Sequence, residues 1–399
     1  MQTNDAAIWA LLRQFTRFGH GADLSRANRI MGPVISSLPA GIVVTGSNGK
    51  GTVTHLTAGI LKMLGLRVGH FISPHLMSIT ERISVDGQPV ATEELQQALE
   101  ATLDESAHDD LDAASRFEIL AAAAVRIFST HRLDAIVWEA GLGGRLDPTR
   151  LVPKKVAVLT SVALEHTSLL GGSRIEIARE KAAIARSHST ASCVPLVIGC
   201  LDGDVSEMLE RQQPIVRHTE DTVSVALSGT HQIVNGQIAL TAARLWTGRT
   251  DLPTNLNSIT VPLRTERIRR AQGSSPDIWV DVAHHEHAIR ALRPWLDSLP
   301  RPLCIVFGVS RDRQASPMLS ALPNDAMLVI SEAPYKSTPA ESIPSPSNSL
   351  VVSELHRALR VAEHRASPNG SVVVLGGLYL AAASAAILRQ ADHTTLRWE

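Results

Sequence analysis

Residues 42–64 read IVVTGSNGKGTVTHLTAGILKML, and this stretch decides the fold of the first half of the chain. The apolar run at 42–45 predicts a short buried strand, and the apolar spacing from Thr54 to Leu64 predicts an amphipathic helix. Between them, glycines at 46, 49 and 51 let the backbone turn its N–H groups toward phosphate oxygens, and a helix N-terminus favours anions. The strand, loop and helix together predict a phosphate-binding loop.

Within this loop, Lys50 supplies a point charge for the β- and γ-phosphates, and Thr52 or a neighbouring hydroxyl can face a metal ion. The spacing is shorter than that of the standard phosphate-binding motif, so a plain glycine-rich turn is the alternative. The strand before the loop and the helix after it favour phosphate binding. The loop residues predicted to bind ATP are Ser47, Asn48, Gly49, Lys50, Gly51 and Thr52.

Outward from the loop, strands and helices alternate along the chain. Further strands of the first half are predicted at 67–72, 134–139, 156–161 and 194–198. A polar stretch rich in Gly, Pro and Asn at 247–258 is the predicted linker. Strands of a second series are predicted at 277–282, 303–308, 327–331 and 372–375. We predict an α/β protein with an N-terminal P-loop-type parallel-sheet ATPase domain at 1–256 and a smaller Rossmann-like C-terminal domain at 257–399.

Composition limits the function. The 399 residues include 38 basic and 39 acidic side chains, so the basic surface of a nucleic-acid-binding protein is not expected. The arginines of LRTERIRR at 263–270 fit alternating exposure on an edge strand. Three scattered cysteines favour a reducing compartment, and we expect neither a secretory signal nor a membrane span. We expect a cytoplasmic monomer whose partners are small molecules, not nucleic acid or membrane.

Longer segments resemble one enzyme family. The loop run is followed in order by GHFISPHLMSITERISVDGQPV, RFEILAAAAVRIF, IVWEAGLGGRLDPT, VLTSVALEHTSLLGGSRIEIAREKAAI, SGTHQIVNGQIALTAA and VDVAHHEHAIRAL. Over most of residues 17–295 these segments resemble the folylpolyglutamate synthase/dihydrofolate synthase family, relatives of the Mur ligases. The resemblance implies a ligase that uses ATP to activate a carboxylic acid as an acyl phosphate and joins it to an amino acid, releasing ADP and phosphate.

Phosphoryl transfer to a carboxylate needs cations beside the γ-phosphate, and Mg²⁺ prefers oxygen ligands. Glu139 ends an apolar strand, at the edge where open α/β sheets bind ligands. The resemblance implies a magnesium site formed by Ser73, Glu139 and His166. It also implies that Lys181 can carry a carbamate, an anion that would help to organise the metal; the alternative is a solvated helix lysine. The implied catalytic residues are Lys50, His166 and Lys181.

The resemblance further implies where the rest of ATP and the two substrates bind. Nucleotide contacts beyond the loop are implied at Asn235, Arg264 and Asp281. Arg82 and His284 match positions that face the incoming amino acid, and Arg82 could pair with its α-carboxylate. The complete implied substrate-binding set is Arg82, Phe117, Glu118, Leu146, Asp147 and His284.

Several segments depart from the family pattern and leave the substrates open. Residues 283–288 read AHHEHA in place of AHNPHA, 164–166 read LEH in place of LDH, and 376–379 read GGLY where the family has a serine that helps to hold glutamate. Residues 17–20 and 115–118 lie where the family contacts dihydropteroate. Three functions are therefore considered: dihydrofolate/folylpolyglutamate synthase, the same chemistry on another acid and amine in specialised biosynthesis, or a catalytically silent nucleotide-binding relative.

Overall fold

The computed structural model describes residues 5–16, 21–188, 190, 192–269, 275–391 and 396. The described chain divides into two compact units by its internal contacts. The first unit contains the residues up to 226 and 233–260, and the second contains 227–232 and the residues from 261 onward. Each unit has its own mainly parallel sheet with helices between the strands, which confirms the predicted α/β fold class.

The first unit contains eight strands and most of the helices of the described chain. Its strands are β1 (Gly41–Thr45), β2 (Val68–Phe71), β3 (Ile83–Val85), β4 (Gln88–Pro89), β5 (Ala135–Glu139), β6 (Lys154–Leu159), β7 (Leu196–Ile198) and β8 (Ile215–Arg217). Its helices are α1 (Ala6–Leu12), α2 (Leu24–Met31), α3 (Lys50–Met63), α4 (Thr92–Glu105), α5 (His108–Ala113), α6 (Arg116–Thr130), α7 (Thr167–Leu170), α8 (Arg174–Ala182), α9 (Gly203–Glu210) and α10 (Thr230–Thr247), the last beginning in the short segment that belongs to the second unit.

The strand order in the first sheet is β4-β3-β2-β5-β1-β6-β7-β8, with antiparallel pairing only for β2–β3 and β3–β4. Strands β1 and β5 are buried along their whole length, as expected for continuous apolar runs in a parallel sheet covered on both faces. Val44 pairs with Glu139, and Thr45 pairs with Leu159. This register brings the carboxyl ends of β5, β1 and β6 side by side at one edge of the sheet.

The second unit has a six-stranded sheet in the order β13-β12-β11-β14-β10-β9, in which only β9 is antiparallel to its neighbour. Its strands are β9 (Glu266–Arg269), β10 (Asp277–Val280), β11 (Leu303–Phe307), β12 (Met327–Ile330), β13 (Ser349–Val351) and β14 (Ser371–Leu375). Its further helices are α11 (Glu286–Ser298), α12 (Ala315–Ser320), α13 (Leu355–Ala366) and α14 (Leu378–Leu388). Strand β9 is an edge strand that exposes Arg267 and Arg269, which confirms the prediction for these arginines; position 270 lies outside the described residues.

Two further expectations concern membrane-spanning helices and the cysteines. Within the described ranges, every helix is too short or too polar to cross a membrane. The three cysteines are free thiols, of which Cys304 is buried, Cys193 is half-buried and Cys200 is exposed.

Candidate active site

The phosphate-binding loop connects β1 to α3, and its glycines are required by the backbone. Gly46 has φ 146°, and a Cβ atom there would lie 1.9 Å from the hydroxyl oxygen of Thr160. Gly49 has φ 84°, and a Cβ atom there would lie 2.7 Å from the side-chain oxygen of Asn235. Helix α3 begins at Lys50, four residues before the predicted start, so positions 51 and 52 lie in its first turn.

The loop is fixed to the segment that follows β6. The backbone N–H of Ser47 donates to the Ser161 carbonyl at 2.9 Å, and the Ser47 hydroxyl accepts from the Ala163 N–H at 2.9 Å. The backbone N–H of Asn48 donates to the Ser161 hydroxyl at 2.9 Å, and the Thr160 hydroxyl donates to the Asn48 carbonyl. The predicted loop residues 47 and 48 therefore also hold the loop in shape.

Two lysines meet at one carbonyl of this loop. The Gly46 oxygen accepts from Lys50 Nζ at 2.9 Å and from Lys181 Nζ at 3.1 Å. Lys181 is only 1% exposed and forms an ion pair with Glu165, with 2.9 Å between Nζ and Oε1. Lys181 is therefore not a solvated helix lysine. Glu165 is a site residue that the sequence reasoning left out, and its only signal was its place beside His166 in the LEH segment.

The electrostatics of this group follow from burial and charge. Burial, followed by the neighbouring charge of Lys50, lowers the pKa of Lys181 to about 8, although Glu165 acts in the opposite direction. Burial alone would raise the pKa of Glu165, but the charges of Lys181 and Lys50 together with hydrogen bonds lower this pKa to about 2. Glu165 is therefore ionised near neutral pH and lies among basic side chains, an arrangement suited to phosphate.

These side chains line a pocket with an empty volume of about 230 Å³. Lys50, Glu165 and Lys181 form its charged part, and His166 and the backbone of 140–143 complete its wall. Thr45 also lines the pocket and donates through its hydroxyl to the Gly143 carbonyl at 2.6 Å. The pocket lies at the carboxyl edge of the sheet, where ligands bind in open α/β folds.

Two of the three predicted metal ligands lie in direct contact. Glu139 ends β5, is 4% exposed, and accepts from the backbone N–H of Ser73 at 3.1 Å. His166 has φ 45°, immediately precedes α7 and lines the phosphate pocket. Among the described residues no group of three or more His, Cys, Asp or Glu is placed to hold a metal ion; the predicted set contains two such residues and a serine. Of the three predicted ligands only His166 lines the pocket, while Glu139 and Ser73 contact each other. The carboxylate and hydroxyl oxygens are ligands of the kind that Mg²⁺ or Mn²⁺ prefers.

The loop after β5 carries part of the predicted acid site. Asp147 accepts from the backbone N–H groups of Leu142 and Thr149, both at 3.0 Å, and from the Thr149 hydroxyl at 2.6 Å. Burial raises the pKa of Asp147, which these hydrogen bonds oppose. The ring of Phe117 packs on Gly141, where a Cβ atom would lie 2.8 Å from the ring, and Leu146 is half-buried.

Glu118 and Arg82 are buried and already have polar partners. Both carboxylate oxygens of Glu118 accept from Arg26, at 3.0 and 3.1 Å, and the carboxylate also accepts from the Ser115 N–H at 2.7 Å. Glu118 is thus part of the cap of α6, and its role in substrate binding stays a prediction. Arg82 Nε donates to His75 Nδ1 at 2.9 Å. The predicted contact segment 17–20 lies outside the described residues.

The remaining predicted residues belong to α10 and to the second unit. Asn235 lies on α10 beside Gly49, within the first unit. In the second unit, Asp281 accepts from the N–H groups of Thr265 and Ala283, at 2.7 and 2.8 Å, and burial raises its pKa. Arg264 lies in the turn just before β9, between two residues with positive φ at 263 and 265. Burial and the nearby His285 lower the pKa of His284 to about 3, so this imidazole is neutral.

Comparison with known proteins finds one matching family model, related sequences and similar solved structures. The model of the Mur ligase, glutamate ligase domain family matches residues 263–378. The Escherichia coli dihydrofolate synthase/folylpolyglutamate synthase is 30% identical over 372 residues, which cover 88% of this chain and 86% of that protein. A crystal structure of a bifunctional folylpolyglutamate synthase/dihydrofolate synthase with Mn, AMPPNP and L-glutamate bound superimposes with a TM-score of 0.81 at 25% identity, covering 96% of this chain and 98% of that one.

Some relatives are much longer than this chain. A probable bifunctional folylpolyglutamate synthase/dihydropteroate synthase from Halobacterium salinarum is 32% identical over 320 residues, which cover 71% of this chain but only 38% of that protein. The similarity is therefore to one part of that longer protein.

Proposed function

Because this chain belongs to the folylpolyglutamate synthase/dihydrofolate synthase family of the Mur ligase superfamily, we propose that it is an ATP-dependent ligase that joins glutamate to a pterin-bearing carboxylic acid. The products are the amide, ADP and phosphate. The observation that carries this proposal is the pocket at the phosphate loop that Lys50, Lys181 and Glu165 line together. We assign the triphosphate group of ATP to this pocket.

When ATP binds, hydrogen-bond donors of the phosphate loop must give up acceptors within the loop and donate to phosphate oxygens instead. The N–H groups at the start of α3 would donate to the phosphate oxygens, and the helix dipole favours negative charge there. Lys50 Nζ donates to the Gly46 carbonyl and can turn from that oxygen toward the β- and γ-phosphates. Asn235, Arg264 and Asp281 are proposed for the nucleoside end.

Ser73, Glu139 and His166 would hold Mg²⁺, which when bound offsets the negative charge on the γ-phosphoryl oxygens. In its ammonium form, Lys181, fixed between Glu165 and the loop, would supply a second positive charge near the same oxygens. The substrate carboxylate attacks the γ-phosphorus, ADP leaves, and the neutral amine of glutamate then attacks the acyl phosphate to form the amide and phosphate. Positioning and fixed charge provide most of such catalysis.

We also propose that Lys181 can react with CO₂ to form a carbamate. This reaction needs the neutral amine, and burial lowers the pKa of Lys181 to about 8, which raises the neutral fraction at physiological pH. The test is a ¹³C NMR spectrum with labelled bicarbonate. A carbamate signal that disappears in Lys181→Met supports the modification, and its absence leaves Lys181 as the ammonium partner of Glu165.

A second function is the same chemistry on another acid and amine. It is favoured by one specific observation: the polar groups of Glu118 and Asp147, both predicted to contact the acid, are used within the protein. Such a site would offer an arriving pterin fewer polar contacts than the resemblance implies.

An ADP-release assay tests these functions. Dihydropteroate or a reduced folate is supplied with glutamate, in parallel with a panel of other acids and amines. Turnover with the pterin acids supports the proposed function, and turnover only with non-pterin acids supports the second. ATP binding without ADP release in any combination would instead indicate the catalytically silent relative.

The proposal includes a cytoplasmic monomer with small-molecule substrates and no nucleic-acid or membrane partner. The nearly balanced charge of 38 basic and 39 acidic residues supports this part of the proposal. Size-exclusion chromatography with light scattering is expected to give a mass near 42.9 kDa.

A further inference from the structure

The hydroxyl of Thr45 connects the phosphate loop to a second segment of the pocket wall. Thr45 is the last residue of β1, immediately before Gly46, and is 1% exposed. Its hydroxyl donates to the carbonyl oxygen of Gly143 at 2.6 Å, although the two residues are 98 positions apart in the chain. Both residues line the pocket to which the triphosphate is assigned. This one hydrogen bond therefore joins two separate parts of the pocket wall.

The segment 141–145, which contains Gly143, packs directly against the end of α8. A Cβ atom on Gly144 would lie 2.2 Å from the carbonyl oxygen of Lys181, so the two backbones are in close contact. The backbone N–H of Arg145 donates to the Glu180 carbonyl at 2.9 Å. The position of the segment 141–145 is therefore coupled to the backbone that carries Lys181.

The side chain of Lys181 returns from α8 to the phosphate loop. Its Nζ donates to the Gly46 carbonyl at 3.1 Å. The contacts thus form a closed ring, which runs through Gly46, Thr45, Gly143, the segment 141–145 and Lys181. Because the ring is closed, loss of the Thr45 hydrogen bond would allow the segment and the lysine to move relative to the loop.

The phosphate loop has other attachments that do not involve the Thr45 hydroxyl. The N–H groups of Ser47 and Asn48 donate to the carbonyl and the hydroxyl of Ser161, both at 2.9 Å. The Ser47 hydroxyl also accepts from the Ala163 N–H at 2.9 Å. A change confined to the Thr45 hydroxyl should therefore displace the segment 141–145 and leave the loop in place.

The segment 141–145 also leads to the predicted acid site. The ring of Phe117 packs on Gly141, and the N–H of Leu142 donates to the Asp147 carboxylate at 3.0 Å. The acid carboxylate must reach the γ-phosphorus in line, and a misplacement of about 1 Å can lower a rate about 100-fold. The distance between the acid site and the phosphate loop is thus a quantity that the protein has to fix.

We propose that Thr45 is a positioning residue of the ligase reaction; this inference rests on the proposed function. Its hydroxyl fixes the segment 141–145 against the phosphate loop and so aligns the acid carboxylate with the γ-phosphate. Thr45 acts in this role through the Gly143 carbonyl, which is buried. Without the hydroxyl that carbonyl loses its donor and its backbone is free to shift.

The test uses the full chain in the ADP-release assay with a pterin acid and glutamate at saturating concentrations. Thr45→Val keeps the shape of the side chain and removes the hydroxyl, and Thr45→Ser keeps the hydroxyl. In Thr45→Val we expect kcat to fall about 10-fold and the KM for ATP to stay within about twofold of wild type. Thr45→Ser is expected to retain most of the rate.

The matched control is Thr102→Val in α4. The Thr102 hydroxyl is also buried and donates to a carbonyl oxygen, that of Ala98, at 2.7 Å. The control therefore removes the same kind of hydrogen bond without touching the pocket, and its kcat is expected to equal that of wild type. Thr45→Ala, which also lacks the hydroxyl, repeats the test if Thr45→Val does not fold.

The outcomes separate this inference from the proposed function. A lower kcat in Thr45→Val with an unchanged KM for ATP, absent in Thr45→Ser and Thr102→Val, supports the assignment. A wild-type kcat in Thr45→Val, or an equal fall in Thr102→Val, overturns it and leaves the proposed function intact. A KM for ATP that rises as much as kcat falls also overturns it, because the phosphate loop itself would have moved. Absence of ADP release by the wild-type protein with every pterin acid and glutamate overturns both.

Discussion

Replacing Arg26 by Met is expected to destabilise the first unit more than any other single change around the predicted acid site. The guanidinium donates through Nε and one terminal nitrogen to the two oxygens of Glu118, at 3.0 and 3.1 Å. The two side chains are only 7% and 4% exposed. In Arg26→Met the carboxylate of Glu118 loses its charged partner and stays away from water.

The size of the effect follows from this burial. Breaking a buried ion pair by removing one partner costs about 3–5 kcal/mol, because the other charge is left without compensation. Glu118→Gln removes the carboxylate partner of Arg26 but should cost less, since Arg26 keeps its hydrogen bond to the Gly21 carbonyl and the amide oxygen can still accept from the Ser115 N–H that the carboxylate accepts at 2.7 Å. The double variant Arg26→Met/Glu118→Gln should be more stable than Arg26→Met alone, because it contains no unpaired buried charge.

Hydrogen–deuterium exchange by mass spectrometry reads the peptides of α6 separately from those of the second unit. Exchange in α6 of Arg26→Met should be accelerated, and the double variant should recover part of the protection. A fall of less than about 1 kcal/mol in the free energy of unfolding of Arg26→Met would refute this reasoning. A double variant that regains no exchange protection in α6 would refute it as well. Glu118→Gln also separates two roles: an unchanged KM for the acid indicates a structural carboxylate, and a large rise indicates a substrate contact.

Four further predictions concern the phosphate site and a buried cation. Lys50→Ala should lower ADP release at least about 100-fold while the circular dichroism spectrum stays unchanged, because a charged contact to phosphate is lost; a normal rate would exclude Lys50 from the site. Glu139→Gln should lower turnover and raise the Mg²⁺ concentration needed for half-maximal rate, and a metal dependence equal to wild type would argue against the predicted ligand set. Gly49→Ala should raise the KM for ATP at least about 10-fold, because the new Cβ would lie 2.7 Å from the Asn235 oxygen at φ 84°; wild-type nucleotide kinetics would contradict this. Burial lowers the pKa of Lys154 to about 8, so between about pH 8 and the unfolded value of 10.5 the unfolded chain binds more protons and the free energy of unfolding should rise with pH; in Lys154→Met, urea unfolding at pH 7.5 and 9.5 should show a smaller rise than in the wild type, because Lys181, whose pKa is also lowered to about 8, still contributes.

The elements with continuous apolar runs were predicted most closely. Strands β1, β5 and β11 lie within one residue of their predicted bounds, since burial on both faces gives an unambiguous pattern. The antiparallel strands β3 and β4 were not predicted, because three and two residues are too few to show a period. Helix α3 begins earlier than its apolar pattern, because its first turn serves the phosphate loop.

The candidate site could be outlined from sequence only in part. The strand–loop–helix pattern around Lys50 and the strand end at Glu139 depend on residues that are close together in the sequence, so both could be predicted from it. Lys50 and Lys181 meet at one carbonyl oxygen although they are more than 100 positions apart, and Glu165 joins them through its ion pair with Lys181. A local sequence pattern does not show such a contact.

The short stretch 227–232 has a practical consequence for anyone who wants to prepare the halves of this protein separately. It belongs with the second unit, although 233–260 return to the first. The Thr265 hydroxyl accepts from the Ser228 N–H at 2.9 Å and donates back to the Ser228 carbonyl at 3.2 Å. A gene fragment starting at codon 261 would encode one side of this reciprocal pair without the other, so simple truncation yields two incomplete pieces, and a circularly permuted or co-expressed design is needed.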